Sequence, residues 1–160
     1  MINNNEILVF DFDFDKQLLL NEWNQHKDNT LPYADKRFGK YTINNWRIAR
    51  DFELSYAEQL CKTFDIEALP KFYILHANTK LTMHTDSGTT CSINFLLSGT
   101  PAPVKYASGE QYTYTTALLN TGVKHGVDNG PEDRVLFKLS IKEEPFENVK
   151  QKVINTLSRS

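Results

Sequence analysis

The residues most capable of chemistry are His84 and Asp86, two apart in His84-Thr85-Asp86. On a strand, residues two apart point to one face, so an imidazole and a carboxylate there project together. By the same alternation, Lys80 and Thr82 are expected beside them, with Leu81 and Met83 turned to apolar packing. Such a polar face suits a divalent metal. One H-x-D pair arises by chance about a quarter of the time in a chain of this composition, so it carries weight only in company with further ligand-type residues. His125, 41 residues further on in Lys124-His125-Gly126-Val127, offers a third ligand. Two histidines and one carboxylate leave half of an octahedral coordination sphere open. Standing alone, His125 would read more readily as an ordinary core or surface histidine.

The segment after His125 adds a third feature. Asn129-Gly130 is a two-residue hairpin signal. As the turn, it pairs Asp128 with Pro131 and sets His125 opposite Arg134, with Cβ atoms roughly 5 Å apart on one face. Pro131 could lengthen the turn and slip the register by two, which keeps the face. A guanidinium pointing into that cavity is costly unless it meets an anion, and a carboxylate matches its fork. The competing reading places Arg134 at the rim, in an ion pair with Asp133 or Glu132.

These residues must be positioned by a mainly β scaffold. From Pro70 to Lys142 short β-rich runs succeed one another: 72–76, 81–85, 91–97, 104–106, 111–115, 117–120, 124–128 and 135–141. Turn residues such as Asn78, Ser98-Gly99, Ser108-Gly109 and Gly122 separate them. Strands so numerous and closely spaced imply a sandwich, jelly roll or barrel. Upstream, Phe10, Phe12 and Phe14 alternate with Asp11 and Asp13 as in a half-buried strand. Asp15 can cap a helix over 16–26 with Leu19, Leu20 and Trp23 inward. Residues 28–50 read as irregular apart from a strand at Tyr41–Ala49. A second helix is expected over 53–65, with Leu54, Ala57, Leu60, Cys61 and Phe64 on one stripe, and a third over 145–157. The fold class is therefore α+β, mainly β: helices outside and an all-β core inside.

The ordered set Leu81-Thr82-Met83-His84-Thr85-Asp86, Leu118-Leu119-Asn120-Thr121, His125-Gly126-Val127-Asp128-Asn129 and Asp133-Arg134-Val135 resembles the 2-oxoglutarate/Fe(II)-dependent oxygenase superfamily. The likeness is nearest to its aspartyl/asparaginyl β-hydroxylase and prolyl hydroxylase side, and it covers about residues 70–142. It implies a double-stranded β-helix (a jelly roll, cupin-like) with flanking helices. It further implies Fe(II) held by His84, Asp86 and His125, and 2-oxoglutarate as co-substrate with its distal carboxylate on Arg134. Tyr73, on the strand before the H-x-D, falls where relatives often place a co-substrate-binding tyrosine, and Asn94 is a weaker candidate of the same kind. The implied reaction is hydroxylation of a substrate C–H bond, with dioxygen consumed and succinate and CO2 released. Some β-hydroxylases of this kind lack the carboxylate ligand; this chain has Asp86.

Composition sets the remaining bounds. At 160 residues the chain fits one domain, divided as 1–69 for helical and strand support, 70–142 for the β core and 143–160 for a C-terminal helix. With 40% apolar and 24% charged residues and a net charge of −2, it reads as an ordinary globular protein, with no general reason to bind nucleic acid or an anionic membrane. No secretory signal and no membrane-length apolar run is visible, and Cys61 and Cys91 make no disulfide framework, so a cytoplasmic location is expected. Two other classes compete with the oxygenase. Asp11-Phe12-Asp13 lacks the downstream residues of a haloacid dehalogenase-type phosphatase. A metal-binding cupin that is not an oxygenase, such as a sensor or isomerase, differs from the favoured reading chiefly at Arg134. The basic, aromatic segment 27–50 (with Lys36, Arg37, Arg47 and Trp46) is either a substrate lid or a solvated face. His26 and His76 receive no role.

Overall fold

A computed structural model describes residues 1–34, 42–86 and 88–159. In chain order the elements are β1 (Ile2–Asn3), β2 (Ile7–Val9), α1 (Lys16–His26), a 3-10 turn (Lys27–Asn29), β3 (Leu31–Ala34), β4 (Thr42–Ala49), α2 (Ser55–Phe64) and β5 (Leu69–Leu75). After these come β6 (Lys80–His84), β7 (Cys91–Ser98), β8 (Val104–Tyr106), β9 (Gln111–Tyr112), β10 (Thr116–Asn120), β11 (His125–Asp128), β12 (Arg134–Ile141) and α3 (Phe146–Ser158). They build two antiparallel sheets, one ordered β1-β2-β10-β7-β12-β5-β4-β3 and one ordered β6-β11-β8-β9. This is a jelly-roll double-stranded β-helix with helices on the outer face of the larger sheet.

The period-two pattern of the large sheet explains its two buried faces. On β12, Val135, Phe137 and Leu139 turn outward to meet Leu19 and Trp23 of α1, Leu60 and Phe64 of α2, and Val149 and Val153 of α3. Leu136, with Tyr73, Leu75 and Leu96 beside it, turns inward toward the small sheet. β7 is buried on both faces and still alternates: Cys91, Ile93, Phe95 and Leu97 pack in the outer core, while Ser92, Asn94 and Leu96 turn to the inner face, so its polar residues lie inside the molecule. Burial of each large core side chain, such as Phe95 or Phe137, stabilises by roughly 1.5–3 kcal/mol. Asp15 caps α1 as expected, its side chain accepting from the Leu18 amide at 3.1 Å.

Several local expectations are corrected. Phe10, Phe12 and Phe14 do not extend a strand; β2 ends at Val9, and the three rings instead pack on Phe64 and Phe95. Residues 28–50 are less irregular than expected, because β3 pairs with β4 at the sheet edge. The strands β1 to β4, all before residue 70, join the larger sheet. Of the segment considered as a lid, residues 35–41 lie outside the described residues.

The largest correction concerns Asn129-Gly130. It is not a hairpin turn: β11 belongs to the small sheet and β12 to the large one. Asp128 pairs with Lys80, not Pro131, and Arg134 lies opposite Leu75, not His125. The physical reason is visible at Asn129, whose buried side-chain amide reaches the carbonyls of Leu75, His76 and Glu132 at 3.0–3.1 Å. Those bonds tie the corner to the β5–β6 connection, so the chain crosses between sheets instead of folding back on itself.

Candidate metal centre and its cavity

His84 closes β6 and His125 opens β11, directly opposite each other in the ladder. Between that pair and the next, Val127 opposite Leu81, the register shifts by a bulge. The bulge inserts one extra residue, so Leu81 and His84 both point inward while Met83 is turned out, 43% exposed. The expected alternation, with Thr82 inside and Leu81 outside, is therefore wrong. Gly126 is what permits it: a Cβ there would lie 2.7 Å from the Leu81 carbonyl oxygen and 3.2 Å from the Met83 nitrogen.

The two imidazoles lie 4.6 Å apart between ring centroids. Each donates from Nδ1 to a backbone carbonyl at 2.7 Å, His84 to Thr82 and His125 to Val123. A carbonyl only accepts, so each Nδ1 carries a proton, and in the neutral ring each Nε2 presents a lone pair. Both Nε2 atoms face Asp86 Oδ1, at 3.1 Å from His84 and 3.3 Å from His125. Asp86 comes just after β6, its amide bonded to the Thr121 carbonyl at 3.0 Å. Oδ1 is buried and has no hydrogen-bond partner among the described residues. Three acceptor atoms thus converge within 4.8 Å of one another. Lone pairs so arranged repel unless a cation sits among them, and two imidazoles with one carboxylate suit a divalent transition metal. The backbone bonds at Nδ1 are the outer contacts that fix such ligands in tautomer and angle.

Arg134 lines the same cavity, as do Asn94, Tyr114, Thr121 and Lys138. It is 3% exposed; Nη1 donates to the Ala102 carbonyl at 3.1 Å, and Nε is buried with no partner among the described residues. The acids considered for a rim pair are engaged elsewhere, Asp133 with His76 at 3.3 Å and Glu132 with the Thr100 hydroxyl. Arg134 therefore shares a cavity with His125 from the facing sheet, although the pairing expected to bring it there does not exist. Asn94 is buried, accepting from Ser92 Oγ and donating to the Tyr114 hydroxyl, both at 2.9 Å. Tyr73 is also buried but does not line the cavity; its ring lies against Trp46, centroids 5.6 Å apart, and beneath the Lys138 ammonium at 4.4 Å.

Two residues of this region escaped sequence reasoning. Trp46, from β4, places its ring 5.8 Å from His84, so the basic aromatic segment supplies one wall. Its only signal was membership of that segment. Lys138 stands on the inner face of β12, four residues after Arg134, where burial lowers its ammonium below the usual range against the raising effect of Asp86. Period-two counting from Arg134 would have found it.

No protein-family model matches the sequence, and no curated protein matches it. Solved structures are similar in fold. The prolyl-4-hydroxylase of Pseudomonas putida superposes with a TM-score of 0.58 at 12% identity, over 81% of this chain and 86% of that one. The viral collagen prolyl hydroxylase of Paramecium Bursaria Chlorella virus-1, solved as its 2OG complex, gives 0.59 at 7% identity, over 88% and 97%. The DMSP lyase DddQ of Ruegeria pomeroyi gives 0.58 at 7% identity, over 88% and 68%. At such identities the likeness is one of fold, and the chain has the β-helix common to cupin proteins and to 2-oxoglutarate oxygenases.

Proposed function

We propose that the protein is a 2-oxoglutarate- and Fe(II)-dependent dioxygenase that hydroxylates a C–H bond of its substrate. The observation that carries this reading is the pairing, in one cavity, of a three-acceptor cluster with a buried arginine whose Nε has no partner among the described residues. His84, Asp86 and His125 would hold the metal, their rings pinned by the backbone bonds at Nδ1. Arg134 would grip the distal carboxylate of 2-oxoglutarate by a charge-assisted, bidentate contact. Asn94, bonded to Ser92 and Tyr114, would hold the co-substrate from the neighbouring strand, whereas Tyr73 does not line the cavity and would make no direct contact with it. Bound Fe(II) would supply the oxidative decarboxylation of the co-substrate, using dioxygen, with release of succinate and CO2. The apolar wall of Trp46, Leu75, Leu81 and Leu136 would exclude water from the reacting centre.

A second reading is a metal-dependent cupin that is not an oxygenase, favoured by the equal similarity to a lyase structure. Anaerobic titration with Fe(II) and 2-oxoglutarate separates the two. The oxygenase is expected to develop a visible metal-to-ligand charge-transfer band at one equivalent of each. A protein that binds iron but develops no band on adding the oxo acid would be the other kind of cupin.

A further inference from the structure

The inner face of the large sheet carries a pair of lysines to which the dioxygenase reaction assigns no role. Lys138 of β12 lies directly opposite Lys71 of β5 in the ladder. Like charges in directly opposed positions destabilise a sheet. Lys71 shares its face with Tyr73 and Leu75, both in the inner core, so the pair points to the cavity side and not to the helices. Lys138 lines the cavity together with Asp86; burial lowers both ammonium groups, the charge of Asp86 raises both, and Arg134 adds a like charge on Lys138. Neither makes an ion pair among the described residues; Lys138 rests on the Tyr73 ring, and the other charges acting on Lys71 are those of Arg50, Lys142 and Asp51.

The charge balance is lopsided. Among the described residues Asp86 is the one carboxylate lining the cavity, against Arg134 and Lys138 in its wall and Lys71 beside them. A divalent ion adds to the excess. 2-Oxoglutarate offsets only part of it, and both of its carboxylates are committed, one to the metal and one to Arg134. Lys138 is four residues along the strand from Arg134, roughly 13 Å at the rise of an extended chain, so the two cations serve opposite ends. A second anion beside this lysine pair would balance the excess.

We propose that Lys138 and Lys71 form a carboxylate-binding subsite for the substrate, which is therefore a small organic acid held by its carboxylate with the bond to be oxidised toward the metal. The proposal rests on the dioxygenase reading for the identity of the site, but the subsite itself needs only the two lysines.

Calorimetric titration tests it on the protein loaded with Mn(II) and N-oxalylglycine, an unreactive isostere that fills the place of 2-oxoglutarate. The probes are short-chain monocarboxylic acids and the common L-amino acids, each measured against its own carboxamide. At least one acid is expected to bind the wild type, with its carboxamide at least about tenfold weaker, because the amide lacks the charge-assisted contact. Lys138→Met and Lys71→Met are each expected to weaken that acid by a similar factor while N-oxalylglycine and Mn(II) bind as in the wild type. Lys138→Arg, which keeps the charge, should retain most of the affinity and covers the case in which Lys138→Met fails to fold. Equal binding of acids and amides, no acid binding at all, or a loss in Lys138→Met confined to N-oxalylglycine would each overturn the proposal. If acids bind in a lysine-dependent manner while Mn(II) and N-oxalylglycine do not, the dioxygenase reading fails and the carboxylate subsite stands.

Discussion

At the scale of single residues, three ligand-type atoms of His84, Asp86 and His125 lie within 4.8 Å of one another, and the buried Arg134 lines the same cavity. His84→Ala and His125→Ala each remove one of the three proposed ligands, and each is expected to lose most iron affinity in equilibrium dialysis; stoichiometric iron in both variants would dismiss the centre. Asp86→Ala removes the single carboxylate facing the two Nε2 atoms, so iron should weaken and 2-oxoglutarate turnover should stop. Turnover at the wild-type rate would make Asp86 a structural residue. On the proposed reading Arg134 answers for the co-substrate alone. Arg134→Leu is expected to weaken 2-oxoglutarate by roughly ten- to a hundredfold, the worth of a charge-assisted contact of about 1.5–3 kcal/mol, with Mn(II) affinity unchanged. Arg134→Lys should recover part, since a point charge does not reproduce the guanidinium fork. Titration of both variants with 2-oxoglutarate in the presence of Mn(II) gives the answer, and wild-type affinity in Arg134→Leu would favour the non-oxygenase cupin.

At the scale of elements, two short devices set the geometry. The bulge opposite Gly126 turns Leu81 and His84 to the same side, and it exists because the glycine lets the β6 backbone come close. In Gly126→Ala the new methyl would press on backbone, which cannot swing away as a side-chain tip could. The expected result is a loss of about 1–3 kcal/mol in chemical denaturation, together with weaker metal binding, as overpacking at a close approach predicts. An unchanged midpoint would mean that the strands can part without cost. Asn129 works at the other corner, tying the crossover between sheets to the carbonyls of Leu75, His76 and Glu132. Removing its amide in Asn129→Ala should cost about 1–3 kcal/mol, since buried carbonyls lose their donor. Arg134 begins β12 five residues later, so 2-oxoglutarate affinity should fall as well; denaturation and titration of the same preparation check both.

At the scale of the whole molecule, the centre joins strands from distant parts of the chain, so a bound ion should act on global stability. Any ligand that binds the folded state alone stabilises it, by about 2.7 kcal/mol when present at a hundred times its dissociation constant. Mn(II) is therefore expected to raise the Tm of the wild type by several degrees and to leave His84→Ala unmoved in the same scan. A wild-type Tm indifferent to Mn(II), Fe(II) and Co(II) alike would count against a metal centre in this cavity. The larger sheet gathers the flanking strands as well as those after residue 70, with the helices covering its outer face, so the cavity is supported from one side by a continuous apolar layer. No described helix is long and apolar enough to cross a membrane.

Much of this was legible in the residues themselves. The strand runs between 70 and 142, the three helices and the cap at Asp15 come from period and composition, which depend only on neighbours along the chain. The grouping of His84, Asp86 and His125 could be anticipated because residue type and order are chemical facts of the sequence. What tertiary structure alone decided was which strand faces which. Asn129-Gly130 looks like a local turn, yet its outcome depends on three carbonyls more than fifty residues upstream or just beyond it, so no local reading could reject the hairpin. The alternation rule failed at Leu81 for the same reason, since a bulge is a property of a pair of strands and not of one. Lys138 and Lys71 lie 67 residues apart and become a pair only through the β5–β12 register. A linear sequence records each charge but not its neighbour, and it is the closing of two sheets over one cavity that sets these cations around a single carboxylate.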